Sequence, residues 1–264
     1  MSHSNGQFTL LGTGASAAVP VIGCQCAVCQ SSSSYNKRMR TAGLLKINDK
    51  NILIDVGPDF HAQAMRFGIT NIDGLLITHT HFDHVAGIDE MRIFSIRSKK
   101  ELPCLCSVAT AYELKKRYDY LFRTHGANLT AKLSLQLTGD IRGRTEFLGI
   151  PIQYMTYLQG RMQVLGFRFG DFAYITDIFD YPESIFEDLK GVKTLVLSAL
   201  RYTPCHVHLT VDDAVIFAQK VGAKKTWLTH LSHELDHDKT NSQLPSSVQL
   251  GYDGLTIDFQ GFKC

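Results

Sequence analysis

The chain has 264 residues, of which 44% are hydrophobic and 20% charged, and its formal net charge is +2. This length can bury a large core, and we expect residues 1–264 to form a single domain. The small net charge gives no support for nucleic-acid binding. No apolar run approaches the roughly 20 residues of a membrane span. Residues 1–7 lack the basic and apolar regions of a signal peptide. We therefore expect a cytoplasmic protein.

The first half of the chain alternates β-rich runs with helical stretches. Strands are predicted at 8–11, 43–47, 51–54 and 75–77, with a hairpin turn at 48–50 and a helix from about 59 to 67. Helices near 89–97 and 110–122 follow, with a strand at 104–108 between them.

The second half repeats this pattern. Strands are predicted at 150–157, 164–169, 172–175, 194–197 and 225–228, with helices beginning at Pro182 and Thr210. Thr210 and Asp213 have the spacing of a capping box. We interpret the chain as an α/β sandwich of two halves.

A Ser-rich stretch, Ser31 to Ser34, leads into the basic run Lys37-Arg38-Met39-Arg40. We interpret this segment as a solvated loop, with phosphate binding as the alternative.

The most informative motif is Thr78-His79-Thr80-His81-Phe82-Asp83-His84, directly after a predicted strand. Polar clusters at the carboxyl end of a strand are where open α/β sheets place chemistry. His79 and His81, two apart on extended chain, point the same way, and Asp83 and His84 can serve a second ion. An ordinary surface run is the alternative, but neutral His with carboxylate is the usual ligand set of zinc and similar ions.

Three of the seven cysteines form a tight loop motif, Cys24, Cys26 and Cys29. Three thiolates at this spacing can hold one tetrahedral zinc if a distant His completes the site. His230, His233 and His237 are the candidates, and a division of labour is natural, with one His at the active centre and one at the cysteine zinc. Buried reduced thiols and redox chemistry are the alternatives.

The His cluster resembles the signature of the metallo-β-lactamase superfamily. Together with the cysteine motif and the segments 11–14, 54–60, 174–177 and 228–233, it resembles the PhnP-type phosphodiesterases over essentially the whole chain. The resemblance implies a four-layer αβ/βα sandwich, two catalytic divalent metals (Zn or Mn), one structural Zn, and hydrolysis of phosphodiesters including cyclic ribose phosphates. It assigns His79 and His81 to one catalytic metal, Asp83, His84 and His230 to the other, Asp177 as the bridge, and Cys24, Cys26, Cys29 and His233 to the structural zinc.

One ligand departs from the family pattern, because Gln159 stands where the resemblance places a His. A Gln oxygen can ligate a metal but is a poorer partner than imidazole, so we predict a weaker first metal site. The resemblance also implies that His208 is a general acid, with the neighbouring His206 easily confused with it, and that Asp55 orients the His cluster. We count Asp83 as catalytic as well as a ligand.

These observations favour a metal-dependent hydrolase, a phosphodiesterase that acts on small cyclic or nucleotide-like phosphodiesters through a metal-bound hydroxide. The alternatives are an RNA-processing nuclease of the tRNA 3′-end type, a non-catalytic metal-binding protein with a decayed site, and a PQQ-biosynthesis type relative. We expect a small phosphodiester as substrate, disfavour nucleic acid, expect no membrane partner and leave a homodimer open.

Overall fold

The computed structural model describes residues 3–122, 131–139 and 141–263, and their strands form two seven-stranded sheets. In chain order the strands are β1 His3–Gly12, β2 Ala42–Ile47, β3 Lys50–Ile54, β4 Gly74–Leu76, β5 Leu102–Cys106, β6 Leu133–Leu137, β7 Arg142–Phe147, β8 Ile150–Gln159, β9 Met162–Phe169, β10 Phe172–Ile175, β11 Thr194–Ser198, β12 Lys225–Thr229, β13 Val248–Leu250 and β14 Thr256–Lys263. The helices are α1 Ala27–Gln30, α2 Phe60–Arg66, α3 Phe82–Val85, α4 Arg92–Ser98, α5 Val108–Arg117, α6 Ile185–Asp188, α7 Val211–Val221 and α8 His237–Asn241.

Each sheet combines antiparallel and parallel strands. The first has the order β14-β1-β2-β3-β4-β5-β6 and is parallel from β3 to β6. The second has the order β13-β12-β11-β10-β9-β8-β7 and is parallel from β10 to β13. The parallel strands place several carboxyl ends along one edge of each sheet, where polar side chains can meet.

Three apolar clusters define the layers. Aromatic side chains such as Phe8, Phe167 and Phe172 fill the space between the two sheets. The outer face of the first sheet packs against Phe60 of α2 and Leu114 of α5. The outer face of the second sheet packs against α7 through residues such as Phe217. This order of helix, sheet, sheet and helix confirms the predicted αβ/βα sandwich.

The strands predicted at 43–47, 51–54 and 75–77 and those of the second half are confirmed within about two residues, and so is the turn after β2, whereas β1 begins at His3 and not at the predicted Phe8. Asn48 and Asp49 both have left-handed backbone, with φ of 49° and 58°, which suits a two-residue hairpin between β2 and β3. The capping box is also confirmed, because Thr210 accepts from the Asp213 N–H and the Asp213 carboxylate accepts from Thr210.

Other boundaries were wrong. The strand predicted at 104–108 ends at Cys106, because the Ser107 hydroxyl accepts from the Thr110 N–H and begins α5 at Val108. The helix predicted at 110–122 ends at Arg117, and a 3₁₀ turn follows at Asp119–Leu121. The stretch 89–97 divides into a 3₁₀ turn, Ile88–Met91, and α4. The helix expected from Pro182 is the single turn α6.

The interpretation of the basic run as a solvated loop was wrong for Arg38. Its side chain is only 1% exposed and is the largest of the fully buried side chains. Main-chain carbonyl oxygens accept its hydrogen bonds in place of water.

Among the described residues, the structure has no helix of the length and apolarity that crossing a membrane requires. Met1 and Ser2 of the N-terminal stretch lie outside the described residues. The single domain over 1–264 and the cytoplasmic location stay predictions.

Candidate metal centre

The candidate site lies where strands of both sheets end. The segment Thr78 to His84 follows β4 of the first sheet, and Asp55 follows the neighbouring β3. Asp177 follows β10 and His230 follows β12 of the second sheet. These segments are far apart in sequence, and the carboxyl ends of the parallel strands bring them together.

The first ligand group consists of His79, His81 and Asp177, whose ligand atoms lie within 4.8 Å of one another. His79 and Asp177 are buried and His81 is half-buried. The His79 Nε2 and His81 Nδ1 atoms are 3.0 Å apart. Two imidazole nitrogens that share one ion at ordinary Zn–N distances stand about 3 Å apart, so the spacing fits a common metal.

A layer of hydrogen bonds behind these ligands fixes which ring nitrogen faces the site. The Thr78 hydroxyl donates to Asp55 Oδ2 at 2.8 Å, so its oxygen accepts from His79 Nδ1 at 2.9 Å. Asp55 Oδ2 also accepts from His84 Nδ1 at 2.7 Å. Because both Nδ1 atoms donate, the Nε2 lone pairs of His79 and His84 are left for a metal. This geometry agrees with the predicted orienting role of Asp55.

The second ligand group consists of Asp83, His84 and His230, all buried and again within 4.8 Å. Burial works against ionisation of Asp83, but the neighbouring His230 and His84 imidazoles outweigh it and hold the pKa of this carboxyl well below its usual range. Burial also lowers the pKa of His84, and the Asp177 and Asp55 carboxylates outweigh this and raise that pKa.

Asp177 belongs to the first group and also lies beside two members of the second. Its Oδ2 is 3.2 Å from His84 Nε2, and its Oδ1 is 3.3 Å from His230 Nε2. Yet His84 Nε2 is buried without a hydrogen-bond partner among the described residues, although Asp83 Oδ2 is also only 3.5 Å away. The nitrogen and the carboxylates are close without aiming at each other, which is the arrangement of ligands that converge on an ion.

The backbone is strained at three positions of the site. Asp55, Asp177 and His230 have left-handed φ values of 62°, 55° and 59°. Such residues each cost about 1–3 kcal/mol and persist only where the surrounding structure holds them, and they cluster at functional sites. Position 57 requires glycine for a steric reason. A Cβ there would lie 2.1 Å from the Asp83 carbonyl oxygen.

Gln159 and His208 complete the buried centre. Gln159 Nε2 lies 3.1 Å from Asp177 Oδ1 and 2.9 Å from His208 Nε2. A carboxylate only accepts, so the amide nitrogen must face Asp177, and its second N–H then donates to His208 Nε2. This leaves Gln159 Oε1 and His208 Nδ1 buried without partners among the described residues. Burial and the neighbouring His230 lower the pKa of His208 to about 4.

The cysteine motif meets His233, not His230 or His237. His233 Nδ1 lies 3.3 Å from Cys24 Sγ and 3.5 Å from the Sγ atoms of Cys26 and Cys29. In a tetrahedral zinc site with ordinary Zn–S and Zn–N bonds, these atoms would be about 3.5 Å apart. The Cys29 N–H hydrogen bond helps to lower the pKa of the Cys26 thiol to about 6, which favours the thiolate. The four side chains therefore fit a closed zinc site.

The other candidates lie outside these groups. His237 stacks on Tyr35 with ring centroids 4.6 Å apart, and His206 is exposed. Sequence reasoning missed Arg117, which donates to the Thr80 carbonyl oxygen at 2.6 Å from the end of α5. It also missed the inward role of Arg38. Arg38 sits in a basic run and Arg117 is 37 residues from its acceptor, so no local pattern marks either residue.

Comparisons with known proteins agree with this geometry. A family model described as a beta-lactamase superfamily domain matches residues 50–231. A solved structure described as a new diphosphatase from the PhnP family has a TM-score of 0.91 and 36% identity, covering 98% of this chain and 99% of that one.

Two sequence relatives add context. An octanoyltransferase from Porphyromonas gingivalis is 36% identical over 96% of this chain, which spans only 52% of that relative's length. A ribonuclease Z from Agathobacter rectalis is 25% identical over 84% of this chain and 92% of its own length.

Proposed function

The chain belongs to the PhnP family of the metallo-β-lactamase superfamily, and from this premise we propose that it is a metal-dependent phosphodiesterase, a hydrolase. The proposed substrates are small cyclic or nucleotide-like phosphodiesters. The proposed cofactors are two catalytic divalent ions, zinc or manganese, and one structural zinc.

The position of Asp177 carries the proposal. One carboxylate, buried and with its pKa held well below the usual range by His230 and His84 against the effect of burial, stands between two groups of ligands. Such a carboxylate can bind two ions at once, which is the arrangement of two-metal phosphoryl-transfer sites.

The residues divide the work. His79 and His81 would hold the first ion, and Asp83, His84 and His230 the second, with Asp83 also counted as catalytic. When bound, the pair of ions would activate water and offset the charge that develops on the phosphoryl oxygens. His208 would donate from Nδ1 to the leaving oxygen, because Gln159 occupies its other nitrogen.

The diphosphatase described among the solved relatives supports phosphorus–oxygen chemistry for this site and adds diphosphate linkages to the substrates worth testing. Processing of RNA 3′ ends is the second candidate function, and the ribonuclease Z relative supports it. The octanoyltransferase is about twice as long as this chain, and we assign none of its acyl transfer to the site.

A substrate screen tests the proposal. Purified protein is offered a bis-aryl phosphate, cyclic nucleotides, cyclic ribose phosphates, a dinucleoside diphosphate and a precursor tRNA, each with manganese, zinc or nickel added back. We expect metal-dependent turnover of the small phosphodiesters with little cleavage of the tRNA. Efficient cleavage of the tRNA alone would instead support the nuclease, and no turnover of any substrate would contradict a phosphodiesterase.

A further inference from the structure

Arg38 is a buried cation whose hydrogen-bond acceptors among the described residues are neutral oxygens. Its guanidinium donates to the carbonyl oxygens of Tyr35, Ser232 and Leu235 at 3.3, 3.0 and 2.7 Å, and to Asn36 Oδ1 at 3.2 Å. Burial lowers the pKa of Arg38 to about 10, and the charges of Asp253 and Asp236 partly offset this. Burial of a guanidinium is costly, and the four hydrogen bonds that Arg38 donates offset part of that cost.

The contacts of Arg38 join two distant segments. Its backbone exchanges hydrogen bonds of 2.8 and 2.9 Å with Val19, which packs with Cys29 in the cysteine loop. Its side chain donates hydrogen bonds to the carbonyl oxygens of Ser232 and Leu235, which lie on either side of His233. One residue therefore connects the loop that supplies three thiols with the segment that supplies their imidazole.

The same segment carries a ligand of the catalytic centre. His230 lies two residues before Ser232 and has the left-handed φ of 59°. Its neighbour Leu231 is held by Thr13 and Ala15 through bonds of 2.8 and 3.1 Å, and Ser232 N donates to Leu200 at 3.0 Å. Among the described residues, Arg38 is the one side chain that donates a hydrogen bond to the Ser232 carbonyl oxygen. This bond adds to the backbone hydrogen bonds that hold the segment in place. His230 needs these contacts to keep its left-handed backbone, because relaxation of φ would turn its imidazole away from Asp83 and Asp177.

We propose that Arg38 is a positioning residue that fixes the segment 230–235 and thereby sets His230 for the catalytic centre and His233 for the cysteine site together. This inference rests on the metal-binding part of the proposed function, not on the identity of the substrate. Hydrogen bonds that orient metal ligands typically change metal affinity 10- to 100-fold when they are removed.

Metal binding without substrate tests the proposal. Wild type, Arg38→Met and Arg38→Lys are stripped with chelator and reloaded with cobalt(II), whose thiolate charge-transfer band reports the cysteine site. Calorimetric titration with manganese then gives the affinity of the catalytic centre. Arg40→Met is one control, because Arg40 lies two residues away and bonds to Ser16 and Asp59 instead. Ile47→Ala is the other, since it opens a cavity at a buried position of β2 and lowers stability without touching the segment.

We expect Arg38→Met to bind both probe metals about 10-fold or more weakly. Arg38→Lys should be intermediate, since it keeps a cation but loses the fork. Both controls should bind as wild type does, although Ile47→Ala melts at a lower temperature. If Arg38→Met does not fold, Arg38→Lys decides by the same measure.

Unchanged affinities in the Arg38 variants would overturn the proposal, and so would an equal loss in Ile47→Ala, which would reduce the effect to general destabilisation. Because no substrate is used, a protein that binds metals as expected but hydrolyses no phosphodiester would refute the proposed function and leave the role of Arg38 standing.

Discussion

Gln159 donates a hydrogen bond from its side-chain nitrogen to Nε2 of His208, 2.9 Å away, and the same nitrogen lies 3.1 Å from Asp177 Oδ1. The residue that departs from the family pattern therefore contacts both the carboxylate between the two ligand groups and the proposed proton donor. Its carboxamide oxygen is buried with no partner among the described residues, which leaves that oxygen free to face an ion. Whether Gln159 ligates the first metal stays a prediction.

Replacement Gln159→His should tighten the first metal site, because an imidazole nitrogen suits borderline metals better than a neutral amide oxygen. Activity of the variant would then saturate at a lower concentration of added metal than that of wild type. Metal titrations of both proteins in the same buffer measure this, with Gln159→Leu as the control that removes the oxygen. Titration curves that coincide for all three proteins would show that Gln159 does not contribute to the metal site.

Loss of His208 should slow hydrolysis according to the leaving group. A general acid typically contributes about two to four decades in rate, and it contributes least where the leaving oxygen needs no proton. We expect His208→Ala to lose most activity with an alkyl leaving group and much less with an activated aryl one. The exposed His206 supplies the matched control, since His206→Ala should behave as wild type. An equal loss with both leaving groups would remove the proton donor role from His208.

The cysteine site should hold zinc more firmly than the catalytic centre does. Three thiolates and His233 form a closed set of four ligands, and structural zinc of this kind contributes directly to folding free energy. Mild chelation should therefore leave about one zinc per chain by elemental analysis, while Cys26→Ser should lose it and melt at a lower temperature. Cys205→Ser is the control, because that cysteine lies outside the cluster. Unchanged zinc content in Cys26→Ser would remove the structural site.

A pH effect on stability is expected at Asp253, which bonds to the Thr13 hydroxyl and the Met39 N–H, each at 2.7 Å. Burial raises the pKa of this carboxyl from 3.8 to about 6 in the folded chain. A raised folded value means that the protonated form stabilises the fold fully below about pH 4, and that this contribution is lost as the pH rises through 6. The difference corresponds to about 3 kcal/mol at most.

Asp253→Asn, which cannot ionise, should escape this loss. Urea unfolding at pH 4.5 and pH 7.5 should show the stability of the variant improving relative to wild type at the higher pH. A stability difference that stays constant between the two pH values would mean that Asp253 does not titrate in this range.

The clustering of the candidate ligands could be predicted from the sequence because they sit in short motifs with their own geometry. The spacing of His79, His81 and His84 after an apolar run specifies a strand end with convergent imidazoles. The three-residue separation of His230 and His233 predicted that they serve different sites, and the structure places one in each group.

Long-range relationships could not be predicted in this way. Strand β14 returns from the end of the chain to pair with β1, and no pattern within residues 256–263 specifies that partner. Strand β7 was missed because Phe147 is the one apolar side chain in Arg142-Gly143-Arg144-Thr145-Glu146-Phe147, so the alternation of a half-buried strand is absent, as it can be in an edge strand. The burial of Arg38 could not be predicted for the same reason. A charged residue in a basic run is expected to be solvated, and the carbonyl oxygens that accept its hydrogen bonds lie far away in the sequence.

The most direct test of a two-metal phosphodiesterase is turnover of a bis-aryl phosphate by wild type and Asp177→Asn, each measured after chelation and after manganese is added back. Asp177→Asn keeps the shape of the side chain but removes the charge that lies between His84 and His230. We predict that wild type is inactive after chelation and recovers with manganese, and that the folded variant remains inactive under both conditions. Turnover by Asp177→Asn at a rate near that of wild type, or wild-type turnover that is indifferent to chelation, would contradict the account.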